Sequence, residues 1–192
     1  MAESVRDESQ QPIVVGRRRE YECPWFEVVV KDVRYPAHPR VRPFYSVEIN
    51  DWATVLAVDA DGRIPLVRQY RPVIERVQLE LPAGAVRDAP PEETARCELL
   101  EETGHQADEL MQLGSIFTEA GRLTSRAWVY FAPNARRVAE PATPSEEPLE
   151  VVLVTQTELR AAIETGAFGS AGHVAAVGLA LVRGLLALPR SS

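Results

Sequence analysis

The sequence predicts a chain of the α/β class, with α+β as the alternative arrangement, behind a small β-rich N-terminal segment. Three observations carry this. Runs of β-branched and apolar residues recur at strand length between Phe26 and Val154. Helix-type segments alternate with them. One stretch, Ala53–Val58, is apolar almost throughout, as expected of a strand covered on both faces. With 192 residues, 45% hydrophobic and 26% charged, the chain has the apolar material for one full core and an appendage.

Residues 1–12 are polar, charged and without periodicity, and read as a disordered tail. Residues 13–49 form the β-rich segment. Phe26–Val33 and Tyr45–Ile49 are strand runs, separated by a loop holding Pro36, Pro39 and Pro43. About 35 residues are too few for a core of their own, so this segment is expected to pack on the main domain or on a second subunit. Residues 50–192 form the main domain. Ala53–Val58 leads through a turn at Asp61-Gly62 to a returning strand, Ile64–Tyr70. Pro65 has no N–H to donate and belongs near a strand end or an edge. Val77–Leu81 is a short strand that stops at Pro82-Ala83-Gly84.

Pro90-Pro91-Glu92-Glu93 opens a helix. Proline is tolerated in a first turn, and acidic side chains there suit the helix dipole. The helix runs to about Thr103, and Gly104 closes it. Ile116-Phe117 and Ala127–Phe131 read as strands, with Gly121–Thr124 a loop. Pro133–Pro148 is a proline-rich loop and Leu149–Val154 a strand. Thr157–Glu164 and Ala171–Leu188 are helices.

Composition excludes several functions. A net charge of −7 argues against non-specific nucleic-acid binding, which runs on clustered positive charge. Two cysteines, Cys23 and Cys97, make neither a disulfide framework nor a zinc-site spacing, and reduced thiols point to a cytoplasmic protein. The polar N-terminus carries no apolar signal region. Ala171–Leu188 contains His173, Arg183 and three glycines, so it reads as a packed helix and not as a membrane span.

The chemistry is concentrated in Glu98, Glu101 and Glu102. Their i, i+3, i+4 spacing puts three carboxylates on one helix face. Like charges so placed repel unless a cation offsets them, and clustered carboxylates suit hard cations such as Mg²⁺ or Mn²⁺. The strand and glycine loop before the helix, Leu79-Glu80-Leu81-Pro82-Ala83-Gly84, can bring backbone carbonyls to the same place.

Leu81-Pro82-Ala83-Gly84, a loop, and Cys97-Glu98-Leu99-Leu100-Glu101-Glu102-Thr103-Gly104 together resemble the Nudix box, G-x5-E-x7-R-E-U-x-E-E-x-G-U with U aliphatic. Val67-Arg68-Gln69-Tyr70-Arg71, Glu80-Leu81-Pro82-Ala83-Gly84 and Glu146-Glu147-Pro148-Leu149-Glu150-Val151-Val152 resemble stretches typical of the ADP-ribose pyrophosphatase branch. The resemblance implies an α/β/α sandwich around a mixed sheet. It implies metal-dependent cleavage of a nucleoside diphosphate linked to another moiety, with ADP-ribose split into AMP and ribose 5-phosphate. It assigns Glu98 and Glu102 as main metal ligands, Glu101 as a further ligand within the catalytic set, and the Ala83 carbonyl as completing the metal shell. Glu147 or Glu146 would be the general base, and Arg71, Glu80 and Gly84 would lie on the substrate side. It also implies a homodimer in which the N-terminal segment is exchanged.

Two departures stand out. Gly84 to Glu98 is one residue shorter than the consensus, so the loop lacks its early glutamate, and Cys97 stands where the box has arginine. Thr118–Ser125 also departs from the branch pattern, which bears on substrate identity more than on fold. These losses frame the alternative function: a non-catalytic Nudix module that binds a nucleotide or a protein.

Overall fold

The computed structural model describes residues 11–142 and 149–189. The expected disordered tail falls almost wholly on residues 1–10, outside the described residues. The chain divides into two compact units, Met1–Asn50 with Glu119–Ser125, and Asp51–Thr118 with Arg126–Ser192.

The first unit is an antiparallel meander of β1 (Ile13–Glu22), β2 (Glu27–Arg34) and β3 (Val41–Glu48), with β2 central. β2 carries the run Val28-Val29-Val30, of which Val30 is fully buried. Pro43, expected in a loop, lies inside β3 opposite Asp32. β3 is an edge strand, where a missing N–H removes no ladder bond. The Glu119–Ser125 segment is tied to β3 by Val47 N–H donating to the Arg122 carbonyl (2.7 Å) and Thr124 N–H to the Val47 carbonyl (3.2 Å).

The second unit is built on β4 (Trp52–Asp59) and β10 (Arg126–Arg137), which pair in parallel. β7 (Ala83–Ala85) flanks β4; β8 (His105–Gln106) and β9 (Met111–Phe117) pair with β10. A second sheet runs β11 (Leu149–Val154), β5 (Ile64–Arg71), β6 (Arg76–Glu80). Strand periodicity sorts the core into two layers. Ala53, Val55 and Ala57 of β4, with Tyr130 and Ala132 of β10, meet Ala95 and Leu99 of α1 (Pro91–Thr103). Leu56, Val129 and Phe131 face the other way. There they join Leu159 of α2 (Gln156–Thr165), Phe168, and Ala176, Val177 and Ala180 of α3 (Ala171–Val182). Helices thus cover both faces of a mixed sheet, which is the predicted α/β/α class.

Four local expectations are corrected. Ala83–Ala85 is strand β7 rather than a stop, because it pairs antiparallel with Trp52–Thr54. The strand ending in Phe117 begins at Met111, since both ends of it pair with β10 across one irregularity at Leu113. β10 runs on to Arg137, absorbing Pro133 at an irregularity between Ala132 and Ala135 where the β4 ladder is interrupted. α3 ends at Val182, not Leu188, because Gly184 turns the chain at φ 69° and sends Leu186 back into the core.

Candidate active site

Helix α1 presents its glutamates by simple rotation. Ala95, Leu99 and Thr103 recur every four residues and form the buried stripe. At about 100° per residue, Glu98 and Glu102 sit beside that stripe, while Glu101 lies nearly opposite it. Accordingly Glu98 and Glu102 are half-buried and Glu101 is exposed. The helix starts on Pro91 with Glu92 and Glu93 in its first turn, and the Gly104 N–H caps its end on the Leu100 carbonyl at 2.8 Å.

The two half-buried glutamates converge on β7. The Glu98 carboxylate fills the space where a β-carbon of residue 84 would stand, so only glycine admits it there. Glu102 Oε2 accepts from the Ala83 N–H at 2.9 Å. Val55 N–H donates to the Pro82 carbonyl and Val86 N–H to the Asp51 carbonyl, which sets the alternation of the β4–β7 ladder. By that alternation both backbone polar groups of Ala83 point away from β4. Burial pushes the Glu102 carboxyl up to about 8, with Glu98 and Glu80 adding to the rise and the Ala83 N–H and Arg71 opposing it. Burial, then the Glu101 charge, also raises Glu98.

Beside this pair lies a second charged element. Arg71 donates from Nε to Glu80 Oε1 at 3.0 Å and from Nη2 to Glu80 Oε2. Gln69 Nε2 reaches Glu80 Oε2 at 3.4 Å. Glu80 is buried, whereas the Arg71 side chain is 44% exposed. Arg71 and Glu80 line a cavity of about 380 Å³ with Val73, Ile74, Gln78, Gly169 and Ser170, at the start of α3.

Among the described residues no three His, Cys, Asp or Glu side chains stand together as a ready cation site. Glu98 and Glu102 are brought together; Glu101 is left on the outer face. The donor chemistry still fits a hard divalent cation. Two carboxylates that burial and neighbouring glutamate charges make costly to ionise, beside the outward-turned Ala83 carbonyl, are the oxygen ligands that Mg²⁺ or Mn²⁺ takes. Glu146 and Glu147 lie outside the described residues.

Four aromatic side chains of the kind that can stack a base have different surroundings. Trp25 is 77% exposed, Phe26 tilts against Tyr21, and Tyr35 tilts against Phe44. Trp52 packs on α3, with its ring at the distance where a β-carbon on Gly172 would collide. Its partner there is His173, edge-on at 5.3 Å. His173 has no residue of metal-ligand type beside it in the sequence. It is buried, its Nδ1 has no hydrogen-bond partner, and burial lowers it to about 4. No local pattern signals this, because its neighbours come from β4 and from the loop before α3.

The NUDIX domain model matches residues 50–175. The chain belongs to the Nudix family. Two curated relatives are each named ADP-ribose pyrophosphatase. The one from Bacillus subtilis is 34% identical over 58% of this chain and 61% of its own length. The one from Mycobacterium tuberculosis is 40% identical over 48% of this chain and 46% of its own. This chain therefore spans about half to three-fifths of the length of these relatives. A third, the methanol dehydrogenase activator of Bacillus methanolicus, is 37% identical over 35% of this chain and 37% of its own. A solved structure titled as an ADP compounds hydrolase superposes at a TM-score of 0.78, with 21% identity, covering 92% of this chain and 98% of that one, and so shares the fold.

Within this Nudix fold the altered box positions have local partners. Cys97 is exposed, with Sγ 3.9 Å from Glu93 Oε1. Burial and the Glu93, Glu101 and Glu98 charges hold its thiol above the usual range, so it is not an activated nucleophile. Arg96, one position earlier, bridges Glu92 Oε1 and the Ala107 carbonyl, both at 3.0 Å. It ties the helix start to the segment after β8 and does not reach the glutamate pair.

Proposed function

We propose that this Nudix chain is a metal-dependent hydrolase of the pyrophosphate bond in a nucleoside diphosphate linked to another moiety, with ADP-ribose, split into AMP and ribose 5-phosphate, as its preferred substrate. The observation that carries the reading is the Glu98–Glu102 pair folded onto Gly84 and Ala83. The names of the two curated relatives support the substrate. Glu98, Glu102 and the Ala83 carbonyl would hold Mg²⁺ or Mn²⁺, with Glu101 joining on rotation of its side chain. A bound divalent cation supplies charge neutralisation of the diphosphate and activation of water. Arg71 offers the diphosphate a guanidinium edge. Glu147 or Glu146 would take the proton from the attacking water.

The test is turnover of purified protein with ADP-ribose and Mg²⁺ beside ADP-glucose, GDP-mannose, NADH and diadenosine substrates. Selective release of AMP from ADP-ribose, stopped by EDTA, is the expected result. Replacing Glu147 and Glu146 singly by glutamine should lower kcat in one case and spare the other.

We further propose a homodimer through the N-terminal unit. Its strands expose Ile13, Val14, Val15, Tyr21, Phe44 and Tyr45, and exposed apolar side chains gathered on one small unit mark an interaction surface. Light scattering that gives a monomer mass at every concentration would exclude it. The two free thiols are consistent with a cytoplasmic location. Among the described residues no helix is long and apolar enough to cross a membrane.

A second reading, a non-catalytic Nudix module, is favoured by Cys97 at the box arginine position and by the absence of a ready three-ligand cluster among the described residues. Folded protein that binds ADP-ribose and turns over no substrate with Mg²⁺ or Mn²⁺ would establish it.

A further inference from the structure

We propose that Glu80 is a positioning residue that acts through Arg71, fixing the guanidinium between the cavity at the start of α3 and the glutamates of α1, and that Glu80 itself does not meet the substrate. The inference rests on the hydrolase reading for its kinetic consequence, and on geometry alone for the positioning.

Register makes the arrangement informative. Arg71 stands opposite Arg76 in the β5–β6 ladder, and Glu80 stands opposite Val67. With a period of two, Val67, Gln69 and Arg71 share a face with Gln78 and Glu80. Arg71 therefore turns back along the sheet, past the Gln69–Gln78 pair, to reach Glu80 with two N–H groups. A long side chain bent inward across its own strand loses rotamer freedom and gives up hydration, and the buried two-point contact with Glu80 supplies the compensation. Arg71 and Glu80 both act electrostatically on Glu102, which places the held guanidinium in the field of that α1 glutamate.

Glu80 has little capacity for anything else. Its side chain is 7% exposed, both carboxylate oxygens accept from Arg71, and Oε2 also accepts from Gln69. The same strand fixes the other wall of the cavity. Leu79 N–H donates to the Ala167 carbonyl at 2.9 Å, and Gln78 Oε1 accepts from the Gly169 N–H at 3.2 Å. Residues 78–80 thus hold both the loop before α3 and the arginine facing it.

A bystander and a positioning residue predict opposite effects. Glu80→Gln removes a negative charge near an anionic substrate. If Glu80 only added charge, the site would become more positive and KM for ADP-ribose would fall. If Glu80 positions Arg71, the guanidinium loses its charged anchor and KM rises, by about tenfold or more, with kcat little changed. Arg71→Lys keeps the charge, loses the fork, and should raise KM comparably. The double variant should be no worse than the worse single variant, because both changes break one contact. A fall in KM, an unchanged KM with a lowered Tm, or additive losses would overturn the proposal.

The Arg71 Nε–H signal in a ¹⁵N NMR spectrum separates this inference from the function. It should be slow to exchange in the wild-type chain and exchange rapidly in Glu80→Gln, whether or not any substrate is turned over. A signal equally protected in both would refute the positioning role. Absent turnover with the expected NMR change would refute only the hydrolase reading.

Discussion

The carboxylate of Glu98 occupies the space above Gly84 that a β-carbon would fill. A methyl group at residue 84 would overlap Oε1 and leave Glu98 Cγ at 2.9 Å. What it meets is the far end of a flexible side chain, so the chain can yield by turning Glu98 away. Gly84→Ala should therefore fold, with stability changed by about 1 kcal/mol or less. Turnover should fall about 100-fold, since displacing a ligand by about 1 Å is that costly. Gly178→Ala in α3 is the control. Nothing lies within 4 Å of its β-carbon site, so a helix-interior gain of about 0.5–1 kcal/mol and unchanged turnover are expected. Thermal melts and initial rates on both variants decide the matter.

Glu102 couples stability to pH and to metal. Its folded pKa, about 8 against an ordinary 4.5, means the folded chain holds a proton that the unfolded chain has lost between those values. Stability without metal therefore declines as pH rises from about 4.5 to 8, by a few kcal/mol at most. In EDTA at the alkaline end, Glu102→Gln should melt higher than the wild type. Adding Mg²⁺ should raise the wild-type Tm and leave the variant's unchanged, while the variant loses most turnover. A variant that melts lower than wild type in EDTA would show that Glu102 is not held at a cost.

Much of this site was legible in the sequence because it is local. The glutamates sit on one helix, Pro91 and Gly104 mark its ends, and rotation along α1 explains why Glu101 parts from Glu98 and Glu102. β4 announced itself by being apolar on both faces. Features created by pairing were not legible. Ala83-Gly84-Ala85 has no strand character of its own and becomes β7 only against β4. Pro133 reads as a strand breaker, yet the irregular register at Ala132–Ala135 accommodates it. The grip of Glu80 on Arg71 depends on how two strands register, and the burial of His173 depends on three separate segments.

Gly104 should be intolerant of any side chain. Its φ of 69° is a left-handed conformation, and a β-carbon there would collide with the Ala139 carbonyl oxygen, which is backbone and cannot swing aside. The Gly104 carbonyl also accepts from Val138 N–H at 2.8 Å and Ala139 N–H at 3.2 Å. Gly104→Ala should therefore cost about 2–4 kcal/mol, read as a lowered denaturation midpoint with an unchanged m-value. A loss below about 1 kcal/mol would mean that the segment after β10 can move away from the end of α1.

His173 should make the chain sensitive to acid. Burial lowers its pKa to about 4 from an ordinary 6.5, with Glu80 opposing the fall and Arg71 adding to it. Between those values the unfolded chain binds a proton that the folded chain refuses. Stability from the neutral ring is thus complete above pH 6.5 and is lost as pH falls toward 4, by about 3 kcal/mol as an upper bound. Its position against Trp52 and Phe168, with Nδ1 unpartnered, leaves the Nδ1–H of an imidazolium nothing to donate to. His173→Leu removes the group and should flatten the difference between stability at pH 7 and at pH 5. Denaturation midpoints of both chains, measured with Mg²⁺ present throughout so that Glu102 contributes equally, give the comparison. Parallel pH profiles would show that the ring is reached by water and titrates normally.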